Sequence, residues 1–144
     1  MKAQLTGFEN LQGVFNHMDQ ADKRKIMLSA FKKAVKPTEM VMRDNAPHGK
    51  TGNLRRSIGT IVMKDQVGVY VGARIKGGYK GYHGHIVEEG TVQRFRKTKN
   101  NAPTGKMRYK GFVRAAVKFT EPMVLNTVRD EWDKAIERFI IRRK

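Results

Sequence analysis

Cysteine is absent from the 144 residues, which excludes a disulfide framework and a thiolate metal site and fits a reducing cytoplasm. Long apolar runs are missing too. No window approaches the roughly 20 apolar residues that a membrane helix requires, and Met1-Lys2-Ala3-Gln4-Leu5 opens no apolar stretch of signal-peptide length. The expectation is a soluble chain, cytoplasmic at synthesis. Negative charge is scarce: 13 acids face 30 lysines and arginines, for a net charge of +17. A small surface this basic attracts polyanions, so nucleic acid, an acidic protein and an acidic membrane all qualify as partners on charge alone. The length fits a single domain, 1–144, with one core.

The most telling segment present runs from Ala46 to Ile58. Pro47 lacks an N–H and pushes Ala46 out of helical geometry, while Gly49 and Gly52 permit the backbone angles of a tight turn. From Leu54 onward the chain is expected to pair into a sheet.

Before this turn, Thr6-Gly7-Phe8-Glu9 has the form of a capping box, and Phe8, Leu11, Phe15 and Met18 recur at helical spacing. A second helix is expected from Asp19 or Asp22, with Met27, Ala30, Phe31, Ala34 and Val35 on one side. It continues through Met40 and Val41 with a kink at Pro37. Over 58–74 the period falls to two, with a hairpin turn at Asp65-Gln66 and a break at Lys76-Gly77-Gly78. A third strand is expected at 83–88, ending at Gly90.

Residues 91–110 are polar and basic, with Arg94, Arg96, Lys97, Lys99, Lys106, Arg108 and Lys110 and no acid among them. So long a connection is expected to be functional or disordered, a flexible basic arm. Residues 112–119 regain apolar character, and Thr120-Glu121-Pro122 reads as the start of a last helix whose stripe is Leu125, Val128, Trp132, Ala135, Ile136 and Phe139. Arg138, Arg142, Arg143 and Lys144 suit its C-terminal dipole. Helices at both ends of hairpin-connected strands predict an α+β domain, an antiparallel sheet of three to four strands packed against N-terminal and C-terminal helices.

Gly49-Lys50-Thr51 resembles the end of a phosphate-binding loop, but Asp44 occupies the place of the required earlier glycine. A glycine turn with a solvated lysine is the better reading. His83 and His85, with Glu88 and Glu89 nearby, would share one side of a strand and supply part of a metal set, short of the three or four ligands zinc requires. His17 and His48 lie elsewhere and add nothing to it. Ser29 and Ser57 have no elbow motif and the acids are scattered, so no catalytic machinery and no cofactor are expected. The basic stretch can meet phosphates, with Tyr109 or Phe112 stacking on bases.

The helix ending in Ala46-Pro47, the turn from Lys50 to Ile58, and Tyr82 with Ile86-Val87-Glu88-Glu89-Gly90-Thr91 after a Val-Gly-rich strand follow one another in order. With Gly111-Phe112-Val113-Arg114-Ala115-Ala116, they resemble the head–tail joining, or tail-completion, proteins of long-tailed double-stranded DNA bacteriophages, related to the minor tail protein Z of lambda-like phages. The likeness covers the chain from about Ala21 to Ile140. The insert His48-Gly49, the pair His83/His85 and the basic arm depart from the family pattern.

The resemblance implies a virion protein of the neck, made in the host cytoplasm and assembled as a homo-oligomeric ring, with a hexamer as one candidate. Its neighbours would be the head connector and tail proteins, with nonspecific contact to DNA in the channel and none to a membrane. A basic nucleic-acid-binding domain of ribosomal or nucleoid kind is the alternative. Arg94, Arg96, Lys97, Lys99, Lys106 and Arg108 are expected to reach partners, with Glu88 and Glu89 as docking points for a neighbour's arginine. Pro47, Gly49, Gly52, Asn53 and Gly90 set turns.

Overall fold

The computed structural model describes residues 18–98 and 100–142, without the side chains of Phe139, Ile140 and Arg142. The Thr6–Glu9 capping box, the first helix with Phe8, Leu11 and Phe15, and His17, Lys99, Arg143 and Lys144 lie outside the described residues. So does the Phe139 side chain.

Two helices open the described chain, α1 (Gln20–Ala34) and α2 (Lys36–Asn45). They divide at Val35 because Pro37 carries no N–H, and the start of a new helix is where that loss costs least. Ala46 then leaves the helix in extended geometry ahead of Pro47, and Gly52 turns the chain at φ +62°. The turn does not lead directly into a strand. It opens a one-turn helix, α3 (Asn53–Ser57), which buries Leu54 and Ser57 before the chain extends.

Strand β1 (Ile58–Val62) pairs antiparallel with β2 (Val69–Ala73), Ile58 opposite Ala73 and Val62 opposite Val69. The segment expected as a third strand is instead a short helix, α4 (Gly84–Glu89). Six residues of mixed pattern fit either period, and close packing decides between them. A β-carbon on Gly84 would come within 2.9 Å of the Ala73 β-carbon, and Val87, one turn on, is buried in the core. Strands β3 (Arg94–Phe95) and β4 (Pro103–Gly105) form a second, separate antiparallel pair. The fold is α+β as expected, and among the described residues four strands form two two-stranded sheets rather than one sheet.

The last helix, α5 (Phe112–Arg142), runs for 31 residues and starts a full two turns before Thr120. Phe112, Ala116 and Thr120 recur every fourth residue and are all buried, which is a helical period across the segment before Pro122. Pro122 sits inside the helix on its exposed side, where water can take the Lys118 carbonyl that the missing N–H leaves free. The expected apolar stripe holds at Ile136, which is buried, but Leu125 is 64% exposed.

One core unites these elements: Met42 and Ala46 of α2's end, Leu54, Ile58, Val87, Phe112 and Ala116. Two polar groups within it are satisfied locally. The Thr38 and Thr120 hydroxyls share a 2.7 Å hydrogen bond between α2 and α5, and Thr120 Oγ1 also lies 2.8 Å from the Ala116 carbonyl oxygen. Lys33 and Glu131 form an ion pair that joins α1 to α5.

Glu39 ties α2 to β1. It is 6% exposed, and its carboxylate accepts hydrogen bonds from Thr60 Oγ1 at 2.8 Å, Arg43 at 2.8 Å and Lys36 Nζ at 3.1 Å. Burial pushes its pKa up, but the hydrogen bonds from Thr60 and Lys36 and the charges of Lys36 and Arg43 outweigh burial and hold it below the ordinary carboxylate value. A group whose folded pKa is depressed stabilises fully above its unfolded pKa and loses that contribution as pH falls through the folded one. We expect Glu39→Gln to lower stability by about 1–3 kcal/mol at pH 7. The gap to wild type should shrink below about pH 4, which urea unfolding at pH 7 and pH 3 measures.

Candidate functional site

Residues 91–110 form a hairpin with a fixed base. At the tip, Arg96 N–H donates to the Ala102 carbonyl at 3.0 Å and Thr104 Oγ1 donates to the Arg94 carbonyl at 3.0 Å. Asn100 and Asn101 take left-handed backbone angles, φ 45° and 52°, which asparagine tolerates better than other side chains. At the base, Thr91 N–H donates to the Met107 carbonyl and Met107 N–H returns a bond to Thr91 Oγ1, both at 2.9 Å. Between base and tip the chain is open to solvent: every described residue from 92 to 110 is exposed.

Arg94, Arg96, Lys97, Lys106 and Arg108 therefore project together from one hairpin. Apolar side chains project with them. Val92 is 83% exposed, Phe95 58% and Tyr109 54%, an arrangement that offers both charge and greasy anchors to a partner.

Glu88 has a role that spacing alone did not reveal. Its carboxylate accepts the Val113 N–H at 2.8 Å and the Arg114 N–H at 3.1 Å, capping the first turn of α5 with negative charge. Its carbonyl accepts the N–H groups of Lys110 and Gly111 at 3.3 and 3.2 Å. One residue thus fastens the hairpin's exit and the helix that follows. Glu88, expected as a docking point, is thus also engaged within the subunit, while Glu89, the other expected docking point, is exposed. The signal missed is an acid placed 25 residues before the Val113 amide it caps, which no local pattern encodes.

Gly90, beside Glu88, has φ +76° and ψ −171°, a region that side chains essentially exclude. A β-carbon there would lie 2.8 Å from the Met107 oxygen and 2.8 Å from the Tyr109 nitrogen, so the hairpin's return strand passes directly over the glycine. The 47–53 turn is more open. Gly52 needs its positive φ, Gly49 has no atom within 4 Å of a would-be β-carbon, and Asn53 Oδ1 accepts a 3.1 Å hydrogen bond from Arg56. Pro47 is half-buried beside the core residue Ala46.

The metal geometry considered for His83 and His85 depended on a strand, and the segment is helical. Residues two apart on a helix face different sides. Among the described residues, no group of three or more His, Asp or Glu side chains could hold a metal ion.

Residues 11–90 match the family model described as "Bacteriophage HK97-gp10, putative tail-component". The chain belongs to this family. The match spans α1 through α4 and stops at Gly90, so the hairpin and α5 follow the matched portion of this tail-component chain. No curated protein and no solved structure matches the chain significantly. Membership in the HK97-gp10-like family supports a structural role in the phage tail and a place in the virion. No helix among the described residues is long and apolar enough to cross a membrane.

Proposed function

We propose that the chain is a non-catalytic structural protein of the phage neck, a tail-completion or head–tail connector subunit that assembles as a ring around the DNA channel. The observation that carries this reading beyond the family is the hairpin. Its charge and exposed apolar side chains are held away from the body by a clamp at Glu88 and Gly90. An arm fixed at its root and open along its length serves contact with a neighbour, and unlike surfaces on adjoining subunits are what a closed ring requires.

Protein partners account for most of the charge. A channel that must let DNA slide is poorly served by tight binding to many phosphates, so contact with DNA there is brief and blind to sequence. The subunit waits in the host cytoplasm until head and tail are ready. Electron microscopy of lysates from a phage lacking this chain tests the reading. Filled heads and finished tails lying apart are expected; joined particles, or heads without DNA, would refute it.

A further inference from the structure

The outward side of α5 carries a stripe that the core does not use. Phe119, Met123, Asn126, Asp130, Asp133, Glu137 and Ile141 recur at helical spacing and all are exposed, Phe119 at 69% and Ile141 at 71%. Between Glu121 and Glu137 the helix has five acids against two bases, in a chain where bases outnumber acids more than twofold. Glu131 is engaged with Lys33 and Lys134, but no ion pair among the described residues engages Asp130, Asp133 or Glu137.

The hairpin is the opposite in charge and similar in its apolar content. It holds seven bases and no acid over 91–110, with Val92 and Phe95 in solvent. It does not lie on its own α5, since β3 and β4 are exposed at every position.

We propose that the hairpin of one copy docks on the α5 stripe of the next copy, setting the cations Arg94, Arg96 and Lys97 against the acidic part of the stripe at Asp130, Asp133 and Glu137. This rests on the ring reading above and names the surfaces that build the ring. Because hairpin and stripe are different surfaces, each subunit gives one and receives one, and the chain of contacts closes when the rotation does. A second copy fits better than nucleic acid. Phosphates would engage the cations alone, whereas the α5 stripe offers carboxylates and exposed apolar side chains together.

Charge exchange tests the contact. One variant carries Arg94→Glu, Arg96→Glu and Lys97→Glu; a second carries Asp130→Lys, Asp133→Lys and Glu137→Lys; a third carries all six. All changes are at exposed positions that neither the core nor the Glu88 clamp uses, and circular dichroism verifies folding. Sedimentation velocity over a concentration series is expected to show assembly of the wild type and association weakened by about tenfold or more in each triple variant. The sixfold variant should regain assembly, as should an equimolar mixture of the two triple variants, in which every hairpin again meets an opposite charge.

If the wild type assembles and the triple variants assemble equally well, the docking contact is wrong while the ring reading stands. A wild type that stays monomeric at every concentration contradicts both. Charge reversal on the hairpin that abolishes binding to duplex DNA without affecting self-association would likewise overturn the docking contact alone, and would assign the hairpin to DNA.

Discussion

Gly90→Ala is expected to destabilise the protein by about 3 kcal/mol and to release the hairpin from the body. Two costs combine. The backbone at φ +76° and ψ −171° belongs to a region that is essentially glycine-only, worth about 1–3 kcal/mol to a side chain forced into it. The new β-carbon would also press on backbone atoms of residues 107 and 109 at 2.8 Å, and backbone cannot swing aside as a flexible side chain would. Relief comes from lifting the return strand, which breaks the bonds between Thr91 and Met107.

Urea unfolding reads the energy, and limited proteolysis reads the hairpin. Cleavage within 91–110 should speed up well before the body unfolds. Gly49→Ala is the control. Its β-carbon would meet nothing within 4 Å and its φ is not positive, so a change within about 0.5 kcal/mol is expected. Equal effects at the two positions would mean that the hairpin root is not packed as described.

Glu88→Ala is expected to cost about 2–3 kcal/mol, with the loss localised at the start of α5. Removing the carboxylate leaves the Val113 and Arg114 N–H groups without their acceptor, and a charged capping acceptor is worth more than a neutral one. The half-buried position makes water a poor substitute. Glu88→Lys should cost still more, because it places positive charge at the positive end of the helix dipole. Amide hydrogen exchange at Val113 and Arg114 distinguishes this from general weakening: both should lose protection in Glu88→Ala, while amides of α1 fall only with global stability. Unchanged protection at these two amides would refute the cap.

The parts of this fold legible in the sequence are those decided by neighbours in the chain. Pro47 marks the end of the helical stretch and Pro37 its break, expected as a kink within one helix and found as a division into two, because a missing N–H acts within one turn. The β1–β2 hairpin follows from two Val- and Ile-rich segments of period two on either side of the polar turn at Asp65-Gln66. The parts that were not legible are decided across the fold. The segment expected as a third strand becomes helix α4, with Gly84 packed close to Ala73, and α5 begins at Phe112, where Glu88 supplies its cap.

Pro122 misled for a related reason. Proline commonly marks a first helical turn, and only the burial of Phe112, Ala116 and Thr120 reveals that this one lies mid-helix. For the candidate site, the cations of 91–110 are evident from composition, whereas their fastening by Glu88 and Gly90 depends on contacts between segments distant in the chain.

The central claim, that this chain joins head to tail through its projecting hairpin, meets its most direct measurement in reconstitution. Heads and tails from a phage lacking the chain are mixed with purified protein, and infectious particles are counted. Wild-type protein should restore them, and protein carrying Arg94→Glu, Arg96→Glu and Lys97→Glu should not, though equally well folded. Full restoration by that triple variant would contradict the account.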